Sequence, residues 1–310
     1  MRVTGNTFST NFLSQVNRLT SRQQQLQNQA TTGQRIAALE DDPAAMQRVL
    51  GMESEQTSLS QYKANISALK DRAMSTFNNL KAVKTVSDRV GEIATQADGT
   101  RSNEELKTYA SEITQLIKQA VQTMNSKQGG EYVFGGTSNG QEPFTLTTDA
   151  NGNVTSVTYN GNTSVKDVEI ASGSTIAVDV PGENNSGNGP RGVITDSRSG
   201  ADFFNHLISL QDNLLAGDTA AIAATDRPNL TTDEENLIFH ISNNGVLQSR
   251  LETATTAAST RSESLDQMIS KEADADLTTT LVSLSQTQTA YQAALQSGAS
   301  LMKLSLLNYL

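Results

Sequence analysis

The side chains that could do chemistry are few, and their spacing argues against most uses. His206 and His240 are the only two histidines among 310 residues, and there is no Cys to share a metal or act as nucleophile. Each histidine falls in a helical stretch, where a lone His is more often a packing or surface residue than a ligand. Asp149-Ala150-Asn151-Gly152-Asn153 begins like a calcium loop. Its Gly is one place early, however, and no Glu stands at the twelfth position, so a hairpin turn is expected. Gly129-Gly130 and Gly135-Gly136 lack the Lys and Ser/Thr that would finish a phosphate loop. Asp41-Asp42 could in principle pair as general acid and base. Pro43 directly after them makes a helix cap the simpler reading, because Pro at the first helical position lacks only an N–H that would be orphaned anyway. No catalytic cluster, cofactor motif or metal set is expected.

Composition points the same way. Hydrophobic residues make up 36% of the chain and charged ones 18%, but aromatics only 5%, with no Trp. An enzyme core of this size normally uses more large rings, whereas Ala, Leu, Ser, Thr and Gln suit long helices packed side by side. The net charge of -10 argues against a nucleic-acid partner, which calls for a basic face. No run of about 18 apolar residues occurs, so no membrane insertion is expected. MRVTGNTFSTNFLSQ at the start has no apolar h-region, so a cleaved secretory signal is not expected either. Taken alone, these features suggest a cytoplasmic protein.

The elements that must carry whatever function remains are mostly helical. Phe12, Val16, Leu19, Gln23, Leu26, Ala30 and Gly33 step by four and three, the spacing of a coiled-coil seam. From Asp42-Pro43 a long helix runs to Asp98-Gly99, and Ser102-Asn103-Glu104-Glu105 is a capping box opening another, with Gly129-Gly130 as its stop. From Glu131 to about Gly192 the texture changes to Gly, Asn, Thr, Ser and Val. Asn139-Gly140, Asn151-Gly152 and Asn160-Gly161 predict hairpin turns, and 154–159 and 174–180 alternate like strands. Helices then return, with one face through Phe203, Phe204, Leu207, Ile208, Leu214 and Leu215 closed by Gly217. A second capping box at Thr232-Asp233-Glu234-Glu235 is expected to open the next helix. Its seam slips phase near Asp274–Asp276, which rewinds a coiled coil or marks a boundary.

After the slip, Leu277, Leu281, Leu284, Gln288, Tyr291, Leu295, Gly298 and Met302 form a new seam. No charged side chain occurs between Leu277 and Met302. That stretch is too polar to cross a membrane and too uncharged for an ordinary solvated helix. Arg2, Arg18, Arg22 and Arg35 at the other end face no acid before Glu40. Such termini suit segments that lock into a multi-helix tube on assembly, or a plain intramolecular coiled coil.

The expected fold is mainly α with a β insert: an elongated helical bundle with coiled-coil terminal helices and a small antiparallel β domain inserted mid-chain. Residues 1–40 and 277–310 would be the terminal helices, disordered in the monomer. Residues 41–135 and 195–276 would form the bundle, and 136–194 the insert.

Several motifs carry a family resemblance. Gln29-Ala30-Thr31-Thr32-Gly33-Gln34-Arg35-Ile36, followed by Asp41-Asp42-Pro43-Ala44-Ala45, resembles the N-terminal region shared by flagellins and flagellar hook-associated proteins. Gly130-Glu131-Tyr132-Val133-Phe134-Gly135-Gly136-Thr137 and the ending Met302-Lys303-Leu304-Ser305-Leu306-Leu307-Asn308-Tyr309-Leu310 are similar to the hook–filament junction members. The resemblance covers roughly 1–140 and 200–310; the insert is not diagnostic. It implies a non-enzymatic structural subunit, without cofactors, exported unfolded by the flagellar type III apparatus with an export chaperone, which replaces the cytoplasmic expectation with the extracellular flagellum. It implies a ring of further copies between hook-associated protein 1 and flagellin. Phe12, Leu19, Leu26, Leu281, Leu284, Tyr291, Leu295 and Met302 would then contribute subunit packing. A flagellin-type filament subunit is the alternative within the family. A cytoplasmic signalling coiled coil is the alternative outside it, and leaves the β insert unexplained.

Overall fold

The computed structural model describes the backbone of residues 3–307 and the side chains of residues 10–300. The chain divides into two compact units, Met1–Ser58 with Thr260–Leu310, and Leu59–Ser259. Three helices come first: α1 (Val3–Thr32), α2 (Pro43–Gln96) and α3 (Asn103–Met124). Short strands follow, and then α4 (Phe203–Ala216), α5 (Thr219–Ala221), a π-helical turn over Ile222–Asp226, α6 (Arg227–Ala273) and α7 (Leu277–Leu307).

The helix ends follow from local chemistry. Asp42 caps α2 by accepting from the Ala45 amide at 3.0 Å, with Pro43 first in the helix. Ser102 and Glu105 close the expected capping box on α3, each side chain accepting from the other's amide. Gly217, at φ 72°, ends α4 in the left-handed conformation that glycine adopts without steric cost.

Thr232–Glu235 does not open a helix, because α6 is already running from Arg227. Asp233 is buried instead, accepting from the Asp202 amide at 2.8 Å and facing His206. Thr232 donates back to the Pro228 carbonyl at 3.2 Å.

Nor does Gly129-Gly130 end α3, which stops earlier at Asn125. The pair forms the two-residue turn between β1 (Lys127–Gln128) and β2 (Glu131–Tyr132), and both glycines take the positive φ that such a turn needs. Asn151-Gly152 lies in the turn joining β3 (Phe144–Thr148) to β4 (Val154–Tyr159), as expected. Asn139-Gly140 and Asn160-Gly161 do not join paired strands, and the strand expected over 174–180 is only β6 (Ser174–Ile176), paired with β5 (Val168–Ala171). The last sheet holds β7 (Glu183–Asn184), β8 (Thr195–Asp196) and β9 (Ala201–Asp202), with β7 and β8 parallel.

The middle of the chain is thus several small sheets rather than one. Helical side chains take the place of further strands. Asn125 pairs with both backbone groups of Phe144 (2.7 and 2.9 Å). Gln211 does the same for Val154 (3.0 and 3.3 Å), and Asn236 donates to the Gly192 and Val193 carbonyls (3.0 and 2.8 Å). Buried backbone groups need partners, and here the helices supply them.

The Leu59–Ser259 unit has a dense core. Leu80, Val83, Val90 and Ile93 of α2 meet Leu106, Ile113 and Ile117 of α3 and Leu207, Leu210 and Leu214 of α4, all buried. Phe134 and Phe144 from the β region and Phe203 and Phe204 from the start of α4 complete it, with edge-to-face ring pairs Phe144–Phe204 at 5.4 Å and Phe203–Phe204 at 5.6 Å.

Candidate assembly surface

The sites that might have done chemistry are structural. His206 Nδ1 sits 2.8 Å from Asp233 Oδ2. Burial works to lower the His206 pKa, but the hydrogen bond and charge of Asp233 outweigh it and raise it. His240 is buried, its Nε2 donates to the Gly192 carbonyl at 3.0 Å, and burial pushes its pKa down to about 4. Asp149 ties its own hairpin turn, accepting from the Asn151 and Asn153 amides at 2.8 and 2.9 Å. Among the described residues no His, Cys, Asp and Glu group could hold a metal ion, and no helix is long and apolar enough to cross a membrane.

The distinctive surface belongs to the terminal helices. α1 packs antiparallel on α7. At one end the Ala275 amide donates to the Gly33 carbonyl at 2.8 Å and the Arg35 amide to the Ala273 carbonyl at 2.6 Å. Gly33 makes this turn possible, having φ 73°. The phase slip near Asp274–Asp276 is therefore a true break, and Asp276 caps α7 by accepting from the Thr278 and Thr279 amides. At the other end the Phe12 ring fills the space that a side chain at Gly298 would need. Counting along the two antiparallel helices from these anchors puts Leu19 level with Tyr291, and Leu26 with Leu284.

Charges cluster at the turn, not on the seam. Arg48 grips both Glu272 oxygens (3.3 and 2.9 Å), Arg35 donates to the Glu272 carbonyl at 2.6 Å, and Arg35 lies 3.6 Å from Asp42. The hydrogen bond from Arg48 holds the Glu272 pKa down, and the Ala45 amide does so for Asp42.

Along α7 the polar residues neutralise themselves. Thr287, Thr289 and Ser300 donate to the carbonyls four residues back (2.7 to 2.9 Å), as Thr20 and Thr32 do on α1. Their hydroxyls are thereby occupied within the helices.

The eight residues expected to pack subunits fall into two groups. Phe12, Leu19, Leu284 and Tyr291 are half-buried and Leu26 is buried, all on the stripe where α1 and α7 face each other. Leu281 and Leu295 are 55% and 43% exposed, beside Leu277 and Val282, which are also exposed. The side chain of Met302 lies outside the described residues. The seam of α7 passes through Thr280, Leu284, Thr287, Tyr291, Ala294 and Gly298, all buried or half-buried. Sequence reasoning missed Thr280, Thr287 and Ala294, because it followed the larger side chains. Stepping back from Gly298 by four and three would have found them.

Residues 3–139 match the family model of the bacterial flagellin N-terminal helical region. The chain carries a flagellin N-terminal region. Its fold is shared with solved flagellar proteins. One is a putative flagellar hook-associated protein from Vibrio parahaemolyticus, with TM-score 0.64 and 19% identity, the match covering 76% of this chain and 100% of that one. FlgL from Bacillus cereus gives TM-score 0.56 at 21% identity, covering 71% and 99%. The flagellar junction protein FlgL from Legionella pneumophila gives 0.51 at 16% identity, covering 74% and 99%. No curated protein sequence matches significantly.

Proposed function

We propose that the chain is a non-enzymatic structural subunit of the bacterial flagellum, an adaptor at the junction between hook and filament. The observation that carries this reading is the uncovered stripe of Leu277, Leu281 and Leu295, in a run with no charge from Leu277 to Met302, in a chain with a flagellin N-terminal region. Burying a leucine that is otherwise exposed contributes about 1.5–3 kcal/mol, so a stripe repeated around a ring favours association strongly. A charge on the same face would oppose it. The fold match over nearly the whole length of a solved flagellar junction protein supports the junction over other places in the flagellum.

In this reading Phe12, Leu19, Leu26, Leu284 and Tyr291 hold the terminal helices together, while Leu281, Leu295 and Met302 pack against neighbouring copies. Residues 1–40 and 277–310 line the inner tube and order fully on assembly. Residues 41–135 and 195–276 surround them, and 136–194 faces outward. The partners are hook-associated protein 1 on one side and flagellin on the other. The chain leaves the cell through the type III apparatus, attended by an export chaperone, and works outside the cell.

A filament subunit is the second reading, favoured by the flagellin description of the matching region. A strain lacking the gene separates the two. Hooks without filaments, with flagellin in the medium, are expected for the junction protein. Bare hooks without flagellin in the medium would identify the filament subunit, and normal filaments would overturn both.

A further inference from the structure

A groove in the Leu59–Ser259 unit is built like a receptor and has no occupant among the described residues. It encloses about 240 Å³ between Asp179, Val180, Arg191, Phe239, Asn244 and Leu247. The Arg191 guanidinium stacks 4.3 Å from the Phe239 ring centre and makes no ion pair among the described residues. A guanidinium held flat on an aromatic ring keeps its donor edge free and fixed in direction, which suits a carboxylate.

Asn244 is only 2% exposed, and its Oδ1 accepts from Gln248 at 2.7 Å. Its Nδ2 has no partner among the described residues. A buried amide donor left unpaired costs about 1–3 kcal/mol unless an acceptor reaches it. Two further polar walls are already satisfied: Asp179 is engaged by Arg72, and His240 donates to the Gly192 carbonyl. Leu247, Val180 and Phe239 leave the remaining surface apolar. The groove therefore calls for an acidic side chain beside an aliphatic one.

The chain itself presents such a pair. Leu39 is 61% exposed and Glu40 is exposed beside it, without an ion pair among the described residues. Both sit in a turn that Asp41 ties by accepting from the Ala37 and Ala38 amides at 3.0 Å each. A preformed turn loses little entropy on docking. We propose that the Leu39–Glu40 turn of a second copy docks in this groove, Glu40 meeting Arg191 while Leu39 covers Leu247 and Phe239. The inference rests on the reading that copies pack together, but not on their place in the flagellum.

The absence of cysteine makes the test direct. Purified full-length Leu39→Cys and Asn243→Cys chains, Asn243 lining the groove, are mixed at high concentration and oxidised with copper phenanthroline. Leu39→Cys mixed with Ser156→Cys, on the exposed side of β4, serves as the background pair. Mixed disulfide should form faster than background and slow about tenfold on adding Glu40→Arg to the first chain, the size of one lost charge-assisted contact. Arg191→Glu in the second chain should then restore it. Glu40→Gln, which leaves the groove untouched, should also slow it.

Cross-linking at background rate, or indifferent to Glu40, would overturn the proposal. A Leu281→Cys chain oxidised alone separates the two ideas. If it cross-links while the groove pair does not, only the groove is wrong; if neither does, packing between copies falls as well.

Discussion

Leu207 and Leu281 are both leucines on apolar helical stripes, yet the first is fully buried and the second 55% exposed. Leu207 lies on α4, which α3, the end of α2 and the phenylalanines enclose from several sides. Leu281 lies on α7, whose described neighbour along its length is α1. A two-helix contact covers one stripe of each helix and leaves the flanks open. One region is therefore finished within the chain, whereas the other keeps apolar surface that a second molecule can cover.

The contrast can be broken most forcefully in the finished region. Phe134→Ala should cost about 3–5 kcal/mol, because it removes a wholly buried ring from a close-packed core. A urea titration followed by circular dichroism would show a drop in midpoint, and an unchanged midpoint would mean the core is less continuous than it looks.

Acid should weaken the same region through His240, which lies there. His240 titrates at about 4 in the fold against an ordinary value of 6.5. Its contribution is intact above 6.5 and is lost as pH falls from 6.5 towards 4, because the unfolded chain takes up the proton first. The loss is on the order of 3 kcal/mol. His240→Gln should flatten the fall in stability across that window relative to the natural chain; an equally steep fall in both would place the titrating group elsewhere.

Gly298→Val should drive a side chain into Phe12 and part the terminal helices at a cost of about 1–3 kcal/mol. Limited proteolysis should then cut within 1–32 sooner, while the Leu59–Ser259 unit survives. Simultaneous cleavage of both would show that the two regions are not separable.

The smallest effect on the isolated chain is the sharpest for the comparison. Leu281→Ala should change monomer stability by less than about 0.5 kcal/mol, as an exposed substitution does. It should nonetheless weaken association of the purified chain, read by sedimentation. A large loss of monomer stability would mean that the stripe is covered within the chain.

Much of this organisation was written locally. Asp42-Pro43, the Ser102–Glu105 box and Gly217 mark helix ends through contacts within four residues, so their chemistry is visible in the sequence. The seam of α1 was legible for the same reason, every member recurring by three or four. Thr232–Glu235 has the same local signature as a cap and is not one, because helix already precedes it and Asp233 answers to His206 and Asp202 from another element. Gly129-Gly130 was misplaced likewise, since a stop for a helix and a turn for a hairpin ask for the same glycines.

Sequence alone therefore determined the helical character, the caps at Asp42, Ser102 and Gly217, and the uncharged run Leu277–Met302 of α7, all of which depend on neighbours a turn or two away. Only the tertiary structure decided that α7 meets α1 through Thr280, Leu284, Thr287, Tyr291, Ala294 and Gly298, leaving Leu281 and Leu295 uncovered. It alone brought Arg191, Phe239 and Asn244 to one groove. Burial depends on what arrives from distant parts of the chain, and no local pattern records that arrival.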